Sequence, residues 1–181
     1  MNLDPNWIVG FADGEGCFQV TLVEHKQMRF GFQVQPEFSI TQHEIDIQLL
    51  HGIKRFFNCG TVKVNTEDRM MWVVKARKDI SDRIIPFFMK HPLKTKKNLE
   101  FLTFRKIILK MEKNEHLTED GFAEIKELAS TLRILTPSQQ VLKVAAKERR
   151  LTAKEAKKEE TLLLEQLKTS LSEEQHQQNK Q

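Results

Sequence analysis

Residues Ile8-Val9-Gly10-Phe11-Ala12-Asp13-Gly14-Glu15-Gly16 constrain this chain more than any other stretch. They spell a short apolar helix that ends on two carboxylates separated by a glycine. Asp4 and Pro5 stand just upstream: Asp4 can cap the first free N–H groups, and Pro5 suits the first helical position because it has no N–H to leave unpaired. Gly14 and Gly16 are expected to stop the helix and turn the chain. Glu15 would then sit at the end of a rigid rod beside exposed carbonyls, a place suited to a hard divalent cation with oxygen ligands. Gly10, mid-helix, costs about 1 kcal/mol relative to Ala. That cost is understandable where another backbone passes close by.

A strand must follow. Phe18, Val20 and Leu22 alternate with Gln19 and Thr21, and a hairpin around 24–27 leads into a longer strand. There Phe30, Phe32, Val34, Phe38 and Ile40 fall on one face, and Arg29, Gln33, Gln35, Glu37 and Ser39 on the other. Period-two order of this length predicts a strand, with Pro36 marking an edge or a bulge. Thr41-Gln42-His43-Glu44 reads as a capping box opening a helix that carries Ile45, Leu49, Leu50, Ile53 and Phe57, closed by Asn58-Cys59-Gly60. A third strand (Val62 and Val64 inward; Thr61, Lys63 and Asn65 outward) turns at Glu67-Asp68 into a fourth, with Trp72 and Val74 inward. Helices are expected over 79–90, 95–112 and 119–133. The order α-β-β-α-β-β-α predicts an α+β fold, a four-stranded antiparallel, saddle-shaped sheet with helices on one face.

The core is expected to end near residue 135. Beyond it the composition turns to Lys, Glu, Gln, Ala and Leu, which predicts a helical extension over 136–171 and a disordered tail over 172–181. Leu162, Leu163, Leu164, Leu167 and Leu171 could dock on the body, pair with a partner or belong to a solvated helix. No apolar run approaches the ~20 residues that span a membrane, and the N-terminus reads as neither signal nor transit peptide. Cys17 and Cys59 read as reduced thiols. A zinc site from Cys59 with His51 or His43 is the minor alternative.

Residues 1–111 carry 17 Lys and Arg against 12 Asp and Glu, so the modest basic excess lies in the front of the chain. The outward sheet positions sharpen this. Gln19, Thr21, Arg29, Gln33, Gln35, Ser39, Thr61, Lys63, Asn65, Arg69 and Lys75 are side chains suited to base edges, and Glu37 is the one acid among them. Any solvated sheet face is polar. Long amides and cations outnumbering acids point further, to contact with a nucleic acid in its groove.

The segment I-V-G-F-A-D-G-E-G resembles the LAGLIDADG motif of homing endonucleases, and the order of elements extends the resemblance over most of the chain. Val9 stands where a small residue is usual, with Ala12 one turn on, and Glu15 replaces the commoner aspartate. The resemblance implies a single-motif protein acting as a homodimer, with Ile8, Gly10, Phe11 and Asp13 in the interface and Gly10 letting two motif helices approach. It implies that Glu15 and the Gly14 carbonyl hold Mg²⁺, a site Mn²⁺ or Ca²⁺ could also occupy. Gln42 matches a water-organising glutamine. Lys96, or Lys97 with a one-residue shift, matches a basic residue that stabilises the transition state. Four residues beyond Gln42, where some relatives carry a basic side chain, this chain has Asp46, so that role is open or moves to Arg77, Lys78 or Lys75.

The expected function is site-specific cleavage of double-stranded DNA at a long near-palindromic site, leaving 3′ overhangs. Such a protein is expected to be intron-encoded in a chloroplast or mitochondrion. Two alternatives are a maturase that binds group I intron RNA and a DNA-binding regulator without catalysis.

Overall fold

The computed structural model describes residues 2–132. The end of the expected core at 133–135, the extension over 136–171 and the tail over 172–181 lie outside the described residues. Helix α1 (Pro5–Glu15) starts as its sequence dictates. The Asp4 carboxylate accepts from the Asn6 and Trp7 amides at 2.8 and 3.2 Å, and Pro5 opens the first turn. The helix runs through Gly14 and ends at Glu15, and strand β1 (Gly16–Glu24) begins with no intervening loop. Gly16 is required at this junction, since a Cβ there would lie 2.6 Å from the Ala12 carbonyl oxygen.

Strand β1 pairs antiparallel with β2 (Phe32–His43) over nine positions, from Gly16 opposite Ile40 to Glu24 opposite Phe32. The hairpin is longer than expected: His25–Gly31 forms the loop, closed by the His25 amide on the Gly31 carbonyl at 2.8 Å. Arg29 and Phe30 therefore belong to the loop and not to the strand. Strand β4 (Arg69–Val74) pairs with the far half of β2, Phe38–His43, and on its other side with β3 (Thr61–Thr66). The sheet is a four-stranded antiparallel one in the order β1-β2-β4-β3. The near half of β2 has no β4 partner, and Pro36, which cannot donate a ladder hydrogen bond, lies in that half as an edge residue should.

One side of the sheet is closed by helices. Helix α2 (Ile47–Phe57) follows a 3₁₀ turn over Glu44–Asp46. The expected capping box does not form, because Thr41 and Gln42 are still pairing with β4. His43 caps instead, its Nδ1 accepting from the Ile45 amide at 3.2 Å. Ile45, expected inward, is 81 % exposed at that turn. After β4, α3 (Arg77–Asp79) continues through a π turn over Ile80–Ile84 into α4 (Ile85–Lys90). The wide turn accommodates Pro86, whose ring and missing N–H disfavour a regular α ladder there. Helices α5 (Lys97–Glu112) and α6 (Glu119–Leu132) complete the layer, tied to each other by Lys106 and Lys110 on Glu124 at 2.8 and 2.6 Å.

The core between sheet and helices is aromatic. Phe18 stacks on Phe38 with ring centroids 4.6 Å apart and touches Phe88, Phe101 and Phe104. Phe38 meets the edge of Trp72, and Trp72 stacks on Phe57. The one polar atom of Trp72 is satisfied by the Cys59 carbonyl at 3.0 Å, as burial demands. Gly60 makes that contact feasible: its φ is +78°, and a Cβ would come within 2.6 Å of the indole nitrogen. Val64, expected inward, is 66 % exposed because β3 is the outer strand and its far end overhangs the helices.

Candidate nucleic-acid interface and catalytic corner

The outer face of the sheet is open to solvent among the described residues. Register places Gln19, Thr21, Gln33, Gln35, Ser39, Thr61 and Lys63 on it together, with Arg69 opposite His43 at one end. Gln35 donates to Gln33 and Gln19 donates to Thr21, each at 2.9 Å, so these polar side chains pre-orient one another in pairs. Asn65 is exposed at a β-bulge between Val64 and Thr66. Lys75 lies just past the end of β4, its ammonium 2.9 Å from the Glu37 carboxylate.

Two members of the expected set are displaced. Arg29 sits in the hairpin loop, and its guanidinium donates to the Leu117 carbonyl at 3.0 Å, which turns it to the helical side. Ser39 has the right orientation but is only 6 % exposed, enclosed by Cys17 on one side and Val73 on the other. The middle of the face is thus a tight row of small side chains, with the long polar ones toward its ends. Thr41 and His43 share this face and escaped the sequence reading because they were assigned to a helix start. Burial pushes the Cys17 thiol above its ordinary pKa, with the neighbouring Lys97 charge opposing. Burial likewise raises Cys59, to about 11.

At the other end of β1 the motif helix forms a corner. Its apolar residues circle the whole helix, and packing divides them: Ile8, Val9 and Ala12 enter the core, while Asn6, Trp7, Gly10 and Gly14 are exposed. Ile8, expected at a subunit interface, is 0 % exposed within its own chain and cannot serve there. Val9 also turns inward, so its bulk does not crowd the exposed stripe. A Cβ at Gly10 or Gly14 would meet nothing within 4 Å, leaving the backbone bare. Trp7, 43 % exposed, stacks at 4.8 Å on Phe11, which is partly buried against the core beside that stripe.

Glu15 is exposed at the last turn, where helix carbonyls lack intrahelical partners and carry partial negative charge. Gln42 lies on β2 two residues beyond Ile40, which pairs with Gly16, and so stands roughly 7 Å past the start of β1. The third component is the loop before α5. The Asp13 carboxylate accepts from the Lys94 amide at 2.6 Å and from the Thr95 hydroxyl at 2.9 Å and amide at 3.3 Å. Burial alone would raise the Asp13 pKa, but these bonds outweigh it and hold the carboxyl below its ordinary value. These partners all lie within the chain. Lys97 donates its ammonium to the Gly16 carbonyl, whereas Lys96 is exposed at the helix start.

Glu15 and the carbonyls around it are hard oxygen donors, suited to Mg²⁺ or Ca²⁺. Among the described residues no three His, Cys, Asp or Glu side chains of one chain gather into a metal cluster. No helix of the described residues is long and apolar enough to cross a membrane.

A family model described as LAGLIDADG endonuclease matches residues 8–108, more than half of the chain and the whole of the corner and sheet just described. The chain belongs to the LAGLIDADG endonuclease family. Among LAGLIDADG relatives, it is 35 % identical over 132 residues to the probable intron-encoded endonuclease 2 of Neurospora crassa, covering 72 % of this chain and 29 % of that one. It is 30 % identical to the homing endonuclease I-ApeII of Aeropyrum pernix over 112 residues, 61 % of this chain and 65 % of the other. The crystal structure of the homing endonuclease I-TnaI is similar with a TM-score of 0.72 and 44 % identity, covering 82 % of this chain and 99 % of that one. I-SmaMI, bound to an uncleaved DNA target in the presence of calcium ions, gives a TM-score of 0.72 at 31 % identity, over 78 % of this chain and 49 % of that one. The chain spans only 29 %, 26 % and 25 % of three fungal relatives, including the uncharacterized 50.9 kDa protein in ND4 intron 1 of Podospora anserina.

Proposed function

We propose that two copies of this chain form a metal-dependent endonuclease that cuts double-stranded DNA at a long, near-palindromic site and leaves 3′ overhangs. The observation that carries this reading is the corner. An exposed carboxylate, Glu15, ends the motif helix where the open sheet face begins, and Gln42 and the Lys94–Lys97 loop stand around it. Exposed Gly10 and Gly14 with the Trp7–Phe11 pair fit a second motif helix crossing at a twofold axis, which would bring two such corners together. The relatives named for intron-encoded endonucleases and for ND4 and cox1 introns support an intron-encoded, organellar origin.

In this reading the sheet ends grip the duplex through Gln19, Thr21, Gln33, Gln35, Thr61, Lys63, Asn65 and Arg69, with Lys75 reaching the backbone. Glu15 and the Gly14 carbonyl would hold the Mg²⁺. Bound there, the ion supplies water activation and charge compensation at the leaving oxygen. Gln42 orients a water beside it. Lys96, exposed and with no side-chain hydrogen bond among the described residues, would offset the growing charge of the scissile phosphate, while Lys97 braces the corner through Gly16. None of the six histidines needs to act as a base.

The test is cleavage of a randomised site library with Mg²⁺ by wild type and by Glu15→Gln. We expect one discrete site, cut by wild type and bound but uncut by the variant. Full cutting by Glu15→Gln would remove Glu15 from the metal role. Specific binding without cutting by wild type points instead to a DNA-binding regulator. Neither binding nor cutting directs attention to splicing of a group I intron with and without the protein.

A further inference from the structure

We infer that Asp13, the first acid of the motif, is a positioning residue that carries the geometry of the motif helix to the lysine loop through Thr95. This rests on the nuclease reading above. The sequence reading put Asp13 in the subunit interface, and nothing in the site chemistry required it to look elsewhere. Its carboxylate nevertheless reaches residues some eighty positions downstream. One oxygen takes the Lys94 amide at 2.6 Å, and the other takes the Thr95 hydroxyl at 2.9 Å and amide at 3.3 Å. The Thr95 oxygen, having donated to Asp13, accepts from the Lys97 amide at 3.2 Å. Lys97 closes the circuit by donating its ammonium to the Gly16 carbonyl, on the residue after Glu15.

The order of bonds matters. Asp13 and Gly16 stand on either side of Glu15, and both are fixed to the start of α5 or the loop before it. The carboxylate thus locks the loop's backbone, and Thr95 passes the constraint to the first turn of α5. That turn holds Lys96 and Lys97. Helix α5 has no side-chain cap at Lys96, so Thr95 is the group that satisfies one of its free N–H groups. A carboxylate accepting amide and hydroxyl donors makes charge-assisted bonds, stronger and better directed than neutral ones. An amide at position 13 offers one acceptor oxygen for these three donors, so Asp13→Asn should loosen the loop without removing any group that meets DNA.

The test uses the duplex recovered from the library, with single-turnover cleavage and equilibrium binding measured separately, and ¹⁵N spectra of the full chain. Asp13→Ala and Thr95→Val are each expected to slow cleavage about 10–100-fold while changing target Kd by less than about threefold, the range seen when outer partners of a reactive group are lost. Thr95→Ser, which keeps the hydroxyl, should recover most of what Thr95→Val loses. The double variant Asp13→Ala/Thr95→Val should be little worse than either single one, because both break one relay. In the spectra, the Lys94 amide proton should lie far downfield and move upfield in Asp13→Asn. Cleavage at the wild-type rate in Thr95→Val, loss of affinity matching the loss of rate, or an unmoved Lys94 signal in Asp13→Asn would each overturn the proposal. The spectra need no cleavage, so they distinguish failure of the relay from failure of the nuclease reading.

Discussion

Trp72 and Val73 are neighbours on β4, and they face different worlds. Trp72 lies in the aromatic core, stacked on Phe57 and bonded to the Cys59 carbonyl. Val73 points to the outer face, opposite Ser39 and Thr61, in the row of small side chains across the middle of the sheet. The same backbone serves stability through one set of alternate residues and, in the proposed function, recognition through the other. Changes on the inner face should therefore be felt first in folding, and changes on the outer face first in binding.

The comparison can be broken most forcefully at Trp72. Trp72→Ala should cost about 3–5 kcal/mol of stability by emptying the centre of the core. Denaturant unfolding monitored by far-ultraviolet circular dichroism checks this, and a loss under 1 kcal/mol would mean the core does not turn on that ring. Next is Gly60→Ala, which places a side chain at φ +78° against the indole; roughly 1–3 kcal/mol is expected from the backbone alone. On the outer face the pattern should reverse. Gln35→Ala should leave stability within about 0.5 kcal/mol and lower target affinity by about 1–3 kcal/mol. Lys63→Ala should weaken binding to every sequence alike and reduce the salt slope by about one. Stability falling as far as affinity in either outer variant would erase the distinction between the faces.

The smallest effect is one of pH. Burial holds the His116 pKa below its ordinary value, with the Arg77 charge nearby acting in the same direction. The unfolded imidazole therefore takes up a proton more readily than the folded one. Stability should be full above pH ~6.5 and decline as pH falls from there to the folded value. Melting temperatures at pH 7.5 and 5.5, compared between wild type and His116→Gln, read this out as a shallower slope in the variant.

Much of the architecture was legible because it depends on local chemistry. Asp4 and Pro5 started α1, alternation marked β1 and β2, and Asn58-Cys59-Gly60 ended α2. The face of α1 was not legible. Apolar residues surround that helix, so periodicity could not say that Ile8 turns inward while Trp7 stays out. Arg29 and Ser39 went astray for a related reason. A hairpin loop of seven residues moved the first off the strand, and the second was enclosed by side chains from two other strands. The lysine loop was found as a basic cluster, yet its tether to Asp13 joins groups far apart in sequence, and no local pattern announces it.

The near half of β2, where Pro36 stands, has one further consequence. A strand with one side unpaired is a template on which a second chain can pair; among the described residues this stretch has no partner on its β4 side, and Phe32 is exposed at its end. Pro36 interrupts the row of donors that such growth would need, and the Lys75–Glu37 pair places charges beside it. Protection against edge-to-edge growth is thus written into a buried residue that lies opposite Val20 on the core side of the strand.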